Sequence, residues 1–265
     1  MNNPITIRAS SLGELFDCPA RWEAKHVKKM HMPTSAAARL GTAVHAGTAL
    51  YDQSILDGNP LTPDEAAGAV VDAIHKPDEE VDWDETSPRE AESIAVPLHG
   101  LYCKQIAPHQ EYVAVEAACE ELPIDEIGLT LTGTIDRVRV DGGGLGVADI
   151  KTGKSAVSAD GTVKTQGHAA QIAVYELLAS RALDQEMTAP AQIIGLQVAK
   201  TDKGRRAGTG IISGARDILA DDGDSPGLLR HAAAILHSGD FYGNPRSQIC
   251  NPKYCPAYNI CRWRR

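Results

Sequence analysis

The stretch Gly133-Thr-Ile-Asp136-Arg-Val-Arg-Val-Asp141-Gly-Gly-Gly144-Leu-Gly-Val-Ala-Asp149-Ile150-Lys151 decides how the rest of the chain is read. Val138 and Val140 lead into Asp141 and three glycines; Leu145 and Val147 lead out. Tight hairpins favour Asp-Gly and Gly-Gly because their central residues need positive φ. With Gly142 and Gly143 central, Val140 pairs with Leu145, and counting outward sets Asp136 opposite Asp149. Directly paired residues point to one face, with Cα atoms about 4.5–5.5 Å apart. Alternation along the strand adds Lys151 to the face of Asp149. A slip of one residue would separate the two acids. Two carboxylates and an ammonium on one face can hold a divalent cation beside a positive charge, the combination that phosphodiester hydrolysis requires. An ordinary exposed hairpin with its charges in water is the competing reading at this point.

The chain of 265 residues suits one large domain or two small ones, and 43% hydrophobic residues suffice for a sizeable core. With no secretory signal and no apolar run of spanning length, the expected protein is soluble, intracellular and without membrane association. The net charge of −9 argues mildly against a nucleic-acid partner. A local basic groove outweighs that total, and an acidic metal site adds negative charge of its own. In such a setting Cys18, Cys250, Cys255 and Cys261 read as metal ligands before disulfides. Cys103 and Cys119 stand alone in apolar stretches and read as buried small residues.

Ser11-x-x-Glu14 has the form of a capping box and predicts a helix to about Lys29. A second helix is expected over Ala36 to Gln53. Thr62-Pro63-Asp64-Glu65 starts a third, with an N-cap, proline at the first helical position and acid in the first turn. Ser87-Pro88-Arg89-Glu90 repeats that logic for a fourth, which Pro97 is expected to kink or end. A strand follows near Tyr112 to Cys119, then the glycine hairpin. A long amphipathic helix is expected from about Gln166 to Leu183. Ile193 to Ala199 and Thr209 to Ser213 predict another hairpin, with a basic tip at Lys200, Lys203, Arg205 and Arg206. Ser225-Pro226 starts a last helix to about His237, and the tail beyond it is irregular and cysteine-rich.

Gln171 and Tyr175 are four residues apart and share one face of their helix. Taken alone, they read as a polar flank. His45 lies mid-helix among small residues and is either structural or a ligand. Glu116, on a neighbouring strand with its carboxylate toward the hairpin, ranks below His45. Together, Gly41-x-x-x-His45, Gly133-x-x-Asp136, Asp149-x-Lys151 and Gln171-x-x-x-Tyr175 occur in the order found in RecB-like nucleases of the PD-(D/E)XK superfamily. The opening Ser10-Ser-Leu-x-x-Leu-Phe-Asp-Cys18-Pro-Ala-Arg-Trp22 is similar to their N-terminal signature. The resemblance runs from residue 10 to residue 261. In layout the chain resembles the small stand-alone members, phage recombination exonucleases and the CRISPR-associated RecB-like exonuclease.

That resemblance implies an α/β fold: a restriction-endonuclease-like core with a central mixed sheet flanked by helices. The nuclease domain would span residues 1–265, with 1–110 mainly helical, 111–213 the catalytic sheet and 240–265 a cysteine-clasped tail. His45, Asp136, Asp149 and the carbonyl of Ile150 would bind Mg²⁺ or Mn²⁺. Lys151 would orient water or stabilise the transition state, with Gln171 and Tyr175 steadying the lysine or the DNA backbone. Cys18, Cys250, Cys255 and Cys261 would hold a [4Fe–4S] cluster. The first pair of tail cysteines is separated by four residues, where the commoner family spacing has two, and Zn²⁺ on four thiolates is the rival.

The implied activity is exonucleolytic hydrolysis of DNA, on single strands or duplex ends, in recombination, repair or phage DNA processing. The implied compartment is the cytoplasm, the host's if the chain is phage-encoded. A recombination or strand-annealing protein is a candidate recipient of the product strand. The alternatives are a non-catalytic DNA-binding scaffold carrying the cluster, and a structure-specific endonuclease. Arg21, Lys25, Lys28, Lys29, the Lys200 to Arg206 tip, and Arg262, Arg264 and Arg265 around Trp263 are candidate phosphate contacts.

Overall fold

The computed structural model describes residues 5–83, 86–223 and 225–264. Gly142 and Gly143 adopt φ of 58° and 83°, the left-handed region that a two-residue turn demands. They pair Val140 with Leu145 and Arg137 with Ala148, the register expected from the sequence. Among the described residues the chain begins β1 (Ile5–Arg8), α1 (Ala9–Asp17), α2 (Pro19–Trp22) and a π-helical turn (Glu23–Val27). It continues β2 (Thr34–Ser35), α3 (Ala36–Leu56), α4 (Pro63–His75), β3 (Val81–Asp82), α5 (Pro88–Gln105) and β4 (Tyr112–Ile124). The hairpin is β5 (Leu129–Asp141) and β6 (Gly144–Gly153). After it come α6 (Ala169–Leu183), β7 (Ala191–Gln197), β8 (Arg206–Ile212) and α7 (Leu228–Ser238).

β5 is the spine of the sheet. β4 runs antiparallel along one flank, from Tyr112 opposite Arg139 to Ile124 opposite Leu129. The other flank is shared. β1 lies parallel to Leu129–Thr132, whereas β6 lies antiparallel to Arg137–Asp141. β6 then leaves β5 and continues beside β7, parallel over Ala148–Gly153, and β7 pairs antiparallel with β8. The result is a mixed sheet with helices on both faces. α1, α6 and α7 cover one face over Leu12, Leu131, Ile135, Ile172 and Leu178. α3, α4 and α5 cover the other over Val44, Val70, Leu98, Ile150 and Ile194.

Three local expectations are corrected. The first helix stops at Asp17, because Pro19 forces Cys18 into an extended conformation, φ −154° and ψ 92°. Its capping box does not form. Ser11 Oγ donates to the Arg8 carbonyl at 2.9 Å, and Glu14 turns to Arg21 and Lys25. β1, β2 and β3, which carry no readable strand signal, are present. Pro97 neither ends nor interrupts α5. A proline inside a helix deprives the carbonyl four residues earlier of its donor. Here that carbonyl belongs to Ser93, and Arg205 Nη2 from the β7–β8 loop donates to it at 3.2 Å. The capping box at Thr62 and the N-cap at Ser87 form as expected.

Arg205→Ala should therefore destabilise the fold. Part of that loss, about 1 kcal/mol, should disappear in a Pro97→Ala background, where the restored backbone N–H can donate to the Ser93 carbonyl. Urea unfolding of the two single variants and the double variant measures this coupling. Strictly additive losses would show that the Arg205 contact does not serve the proline.

Candidate active site and metal centre

The shared flank of β5 creates a fork. Beyond the Arg137–Ala148 pair the next opposed residues are Asp136 and Asp149, and there the strands part. Asp136 fills the gap: its Oδ2 accepts the Ile150 N–H at 2.8 Å. In an extended strand a residue's N–H and C=O point to the same side, so the Ile150 carbonyl also faces the fork. On the other flank, the pairs Val115–Arg137 and Ala117–Ile135 bracket Glu116 and Asp136, setting those two opposite one another. Glu116, Asp136 and Asp149 thus stand at one level on three adjacent strands.

α3 closes the fork from the side. His45 Nδ1 lies 3.5 Å from Asp136 Oδ2. His45, Glu116 and Asp136 each offer a ligand atom within 4.8 Å of the other two. Helices approach this closely because of two glycines. A Cβ at Gly41 would lie 2.8 Å from Thr152 Oγ1 on β6, and one at Gly133 would lie 3.0 Å from Leu178 and 3.2 Å from Tyr175 on α6.

Asp149 is 2% exposed, and its Oδ2 lies 2.7 Å from Lys151 Nζ. That ammonium is the close partner of a carboxylate otherwise removed from water. Lys151 Nζ donates to Gln171 Oε1 at 3.1 Å, and Gln171 Nε2 donates to Tyr175 Oη at 2.9 Å. The ammonium is therefore held between one carboxylate and a braced amide. Burial, and then the neighbouring Asp136, push the Asp149 carboxyl up to about 6 against the pull of Lys151. Desolvation, and then Asp136, push Glu116 upward in the same way. The site carries more negative charge than its own residues balance. The ligand atoms of His45, Glu116 and Asp136, gathered within 4.8 Å of one another, are a donor set that fits Mg²⁺ or Mn²⁺.

Glu116 belongs to this set more fully than a sequence ranking below His45 implies. Two register shifts in β4, between Tyr112 and Ala114 and between Cys119 and Leu122, make its level hard to count from sequence. Glu116 is also held at φ 48°, a left-handed value rare for a residue with a side chain.

Cys18, Cys250, Cys255 and Cys261 line one cavity between the α1–α2 break and the tail. All four are free thiols. Burial raises Cys250 and Cys255, and Cys18 and Cys261 add to the rise in both. Among the described residues no three of these sulfurs approach as closely as the His45, Glu116 and Asp136 donors. Hydrogen bonds already join the two chain regions. Asn244 Nδ2 donates to the Asp17 carbonyl at 3.0 Å, and Arg21 Nε donates to the Tyr254 carbonyl at 2.8 Å. Cys103 and Cys119 are buried as expected.

Several of the candidate phosphate contacts serve internal ties. Lys28 pairs with Glu23, Lys200 with Glu90, and Arg205 with Asp202. Arg262 stacks over Trp263 at 4.6 Å and Arg264 over Tyr258 at 5.3 Å. Arg265 lies outside the described residues. No helix among the described residues is long and apolar enough to cross a membrane.

A sheet forked around acids, with a histidine above them and a braced lysine beside them, is an arrangement able to hold a divalent cation next to a positive charge. The family model described as PD-(D/E)XK nuclease superfamily matches residues 7–262, and the chain belongs to that superfamily. A solved structure described as "Crystal structure of SSO0001" is similar at 16% identity and TM-score 0.44, covering 99% of this chain and 88% of the other. No curated protein matches.

The raised Asp149 has a consequence for the metal-free protein. Its carboxyl binds a proton more tightly folded than unfolded, so its charge opposes folding above about pH 6, and that cost fades as the pH falls toward its ordinary value. In chelator at about pH 7.5, Asp149→Asn should be more stable than the wild type by on the order of 2 kcal/mol. The gap should close as the pH is lowered toward about 4. Thermal melts across that range check the sign; a variant less stable than wild type at the upper end would contradict it.

Proposed function

We propose that this chain is a metal-dependent DNA exonuclease acting on single strands or duplex ends, in recombination, repair or phage DNA processing. The observation that carries the reading is the fork between β5 and β6, where acids, a histidine and a braced lysine converge. His45, Asp136, Asp149 and the Ile150 carbonyl would hold Mg²⁺ or Mn²⁺, with Glu116 as a further carboxylate at the rim. The cation, when bound, neutralises charge on the scissile phosphate and makes water a stronger nucleophile. Lys151 presents its ammonium beside Asp149, where it orients the attacking water or stabilises charge on the phosphate. Gln171 fixes the lysine, and Tyr175 fixes Gln171. A non-catalytic DNA-binding scaffold has no use for a lysine braced in this way.

Cys18, Cys250, Cys255 and Cys261 would hold a [4Fe–4S] cluster, with Zn²⁺ as the rival. Four sulfurs at ~2.3 Å from one tetrahedral Zn²⁺ stand roughly 3.8 Å apart. The lining of one cavity by all four cysteines supports a shared group without choosing between the two.

Lys151→Ala and Asp149→Asn are each expected to fold normally by circular dichroism and to lose cleavage of labelled DNA, falling by at least about a hundredfold. Wild-type rates in both would refute the assignment. The wild type should degrade linear single strands with Mg²⁺ or Mn²⁺, stop in EDTA and spare circular single strands. Cleavage of the circle would instead favour the structure-specific endonuclease, and binding without cleavage the scaffold.

Anaerobically purified protein should be brown, with absorbance near about 400 nm and iron in stoichiometric amount. Colourless protein with one zinc per chain would favour the rival.

A further inference from the structure

Beneath the fork lies an ionic group that the proposed chemistry leaves unused. Arg137 is fully buried, and Asp52 on α3 is 1% exposed. Arg137 Nε donates to Asp52 Oδ2 at 2.7 Å and Nη2 to Thr48 Oγ1 at 3.3 Å. Its Nη1 reaches the other way, to the Asp136 carbonyl at 2.6 Å and to Glu116 Oε1 at 3.2 Å. Tyr102 Oη donates to the same Asp52 oxygen at 2.5 Å and lies 3.1 Å from Tyr112 Oη. The guanidinium also sits 5.8 Å from the centre of the Tyr112 ring.

A lone buried guanidinium is too costly to retain without partners. Here its charge is balanced by Asp52 on the far side, while one nitrogen is spent on two groups at the metal site. A planar fork with fixed donor directions can do this, whereas an ammonium cannot span the same points. The groups it reaches are the backbone of one proposed ligand and the carboxylate of another. The second of these, Glu116, sits on left-handed backbone and needs an outside contact to stay there. α3 supplies His45, Thr48 and Asp52 from one helix face, so the same helix brings a ligand and anchors the arginine.

We infer that Arg137, anchored by Asp52, is a positioning residue that holds Glu116 and the Asp136 backbone where they can grip the divalent cation. The inference rests on the metal reading proposed above and goes beyond it by assigning a role to a group that touches neither metal nor DNA.

The test is Mn²⁺ binding to the full chain by titration calorimetry, alongside unfolding melts. Arg137→Lys keeps a charge but cannot reach all the partners, and should weaken Mn²⁺ binding about tenfold. Asp52→Leu with Arg137→Met replaces the buried pair by apolar groups, which should restore stability without restoring affinity. Glu116→Gln should weaken binding in the wild type, yet change little when added to that double variant. Wild-type affinity in the double variant, or a Glu116→Gln effect that simply adds to it, would overturn the positioning role. Failure of the wild type to bind Mn²⁺ would overturn the metal reading itself, and this inference with it. A stability loss elsewhere, as in Leu236→Ala on α7, should leave the affinity unchanged; an equal loss of affinity there would reduce Arg137 to a purely structural part.

Discussion

β5 has different neighbours at its two ends on the same flank, and the gap between them shapes everything around it. Up to Thr132 its partner is β1; from Arg137 onward its partner is β6. A continuous ladder would bury those backbone groups in hydrogen bonds and leave no room for a ligand. The open interval instead receives the Asp136 carboxylate, which satisfies the Ile150 N–H that the ladder has abandoned. The same interval lets α1 and α6 settle against Gly133. Register, helix placement and acid placement are therefore one decision, made by the glycine turn and by the short β1 strand together.

The acids gathered there repel one another, and the surroundings offset that repulsion incompletely. Lys151 answers Asp149, and Arg137 answers Glu116, but both carboxyls still stand above their ordinary range. Burial is the larger cause in each case. A protein built for stability alone would not place three acids at one level of adjacent strands. The arrangement makes sense for a superfamily whose members work with a cation, since the ion removes the conflict that the metal-free fold retains.

The parts legible in the sequence are those fixed by short-range geometry. The Gly142–Gly143 turn allows one register, and from it the Asp136–Asp149 level and the side of Lys151 follow. Ordered motifs supply His45, Gln171 and Tyr175, which the fold brings beside that level. What stays hidden depends on contacts far apart in the chain. β1 is four residues long and pairs with a segment more than a hundred positions away. Glu116 cannot be levelled with Asp136 by counting, because β4 slips register twice. Arg137 and Arg139 alternate with valines, a pattern that names no partner for either, and both are buried on ion pairs. Pro97 reads as a helix stop until Arg205, from a different hairpin, is seen to serve the carbonyl it strands.

The cavity that gathers Cys18 with three tail cysteines has a consequence for how this chain comes apart. Any group that joins those sulfurs ties position 18 to position 250 and closes a loop that contains every strand of the sheet except β1. Tethering so long a stretch removes conformational freedom from the unfolded chain, worth about 5 kcal/mol if the linkage survives unfolding. The cost of losing that group falls on the ends first. α1, which packs against α6 near the fork, would fray from its outer end while the hairpin stayed paired. Loss of the clasp would thus show itself as exposed termini around a still-paired β5–β6 hairpin, a partial unravelling that a protease would find first.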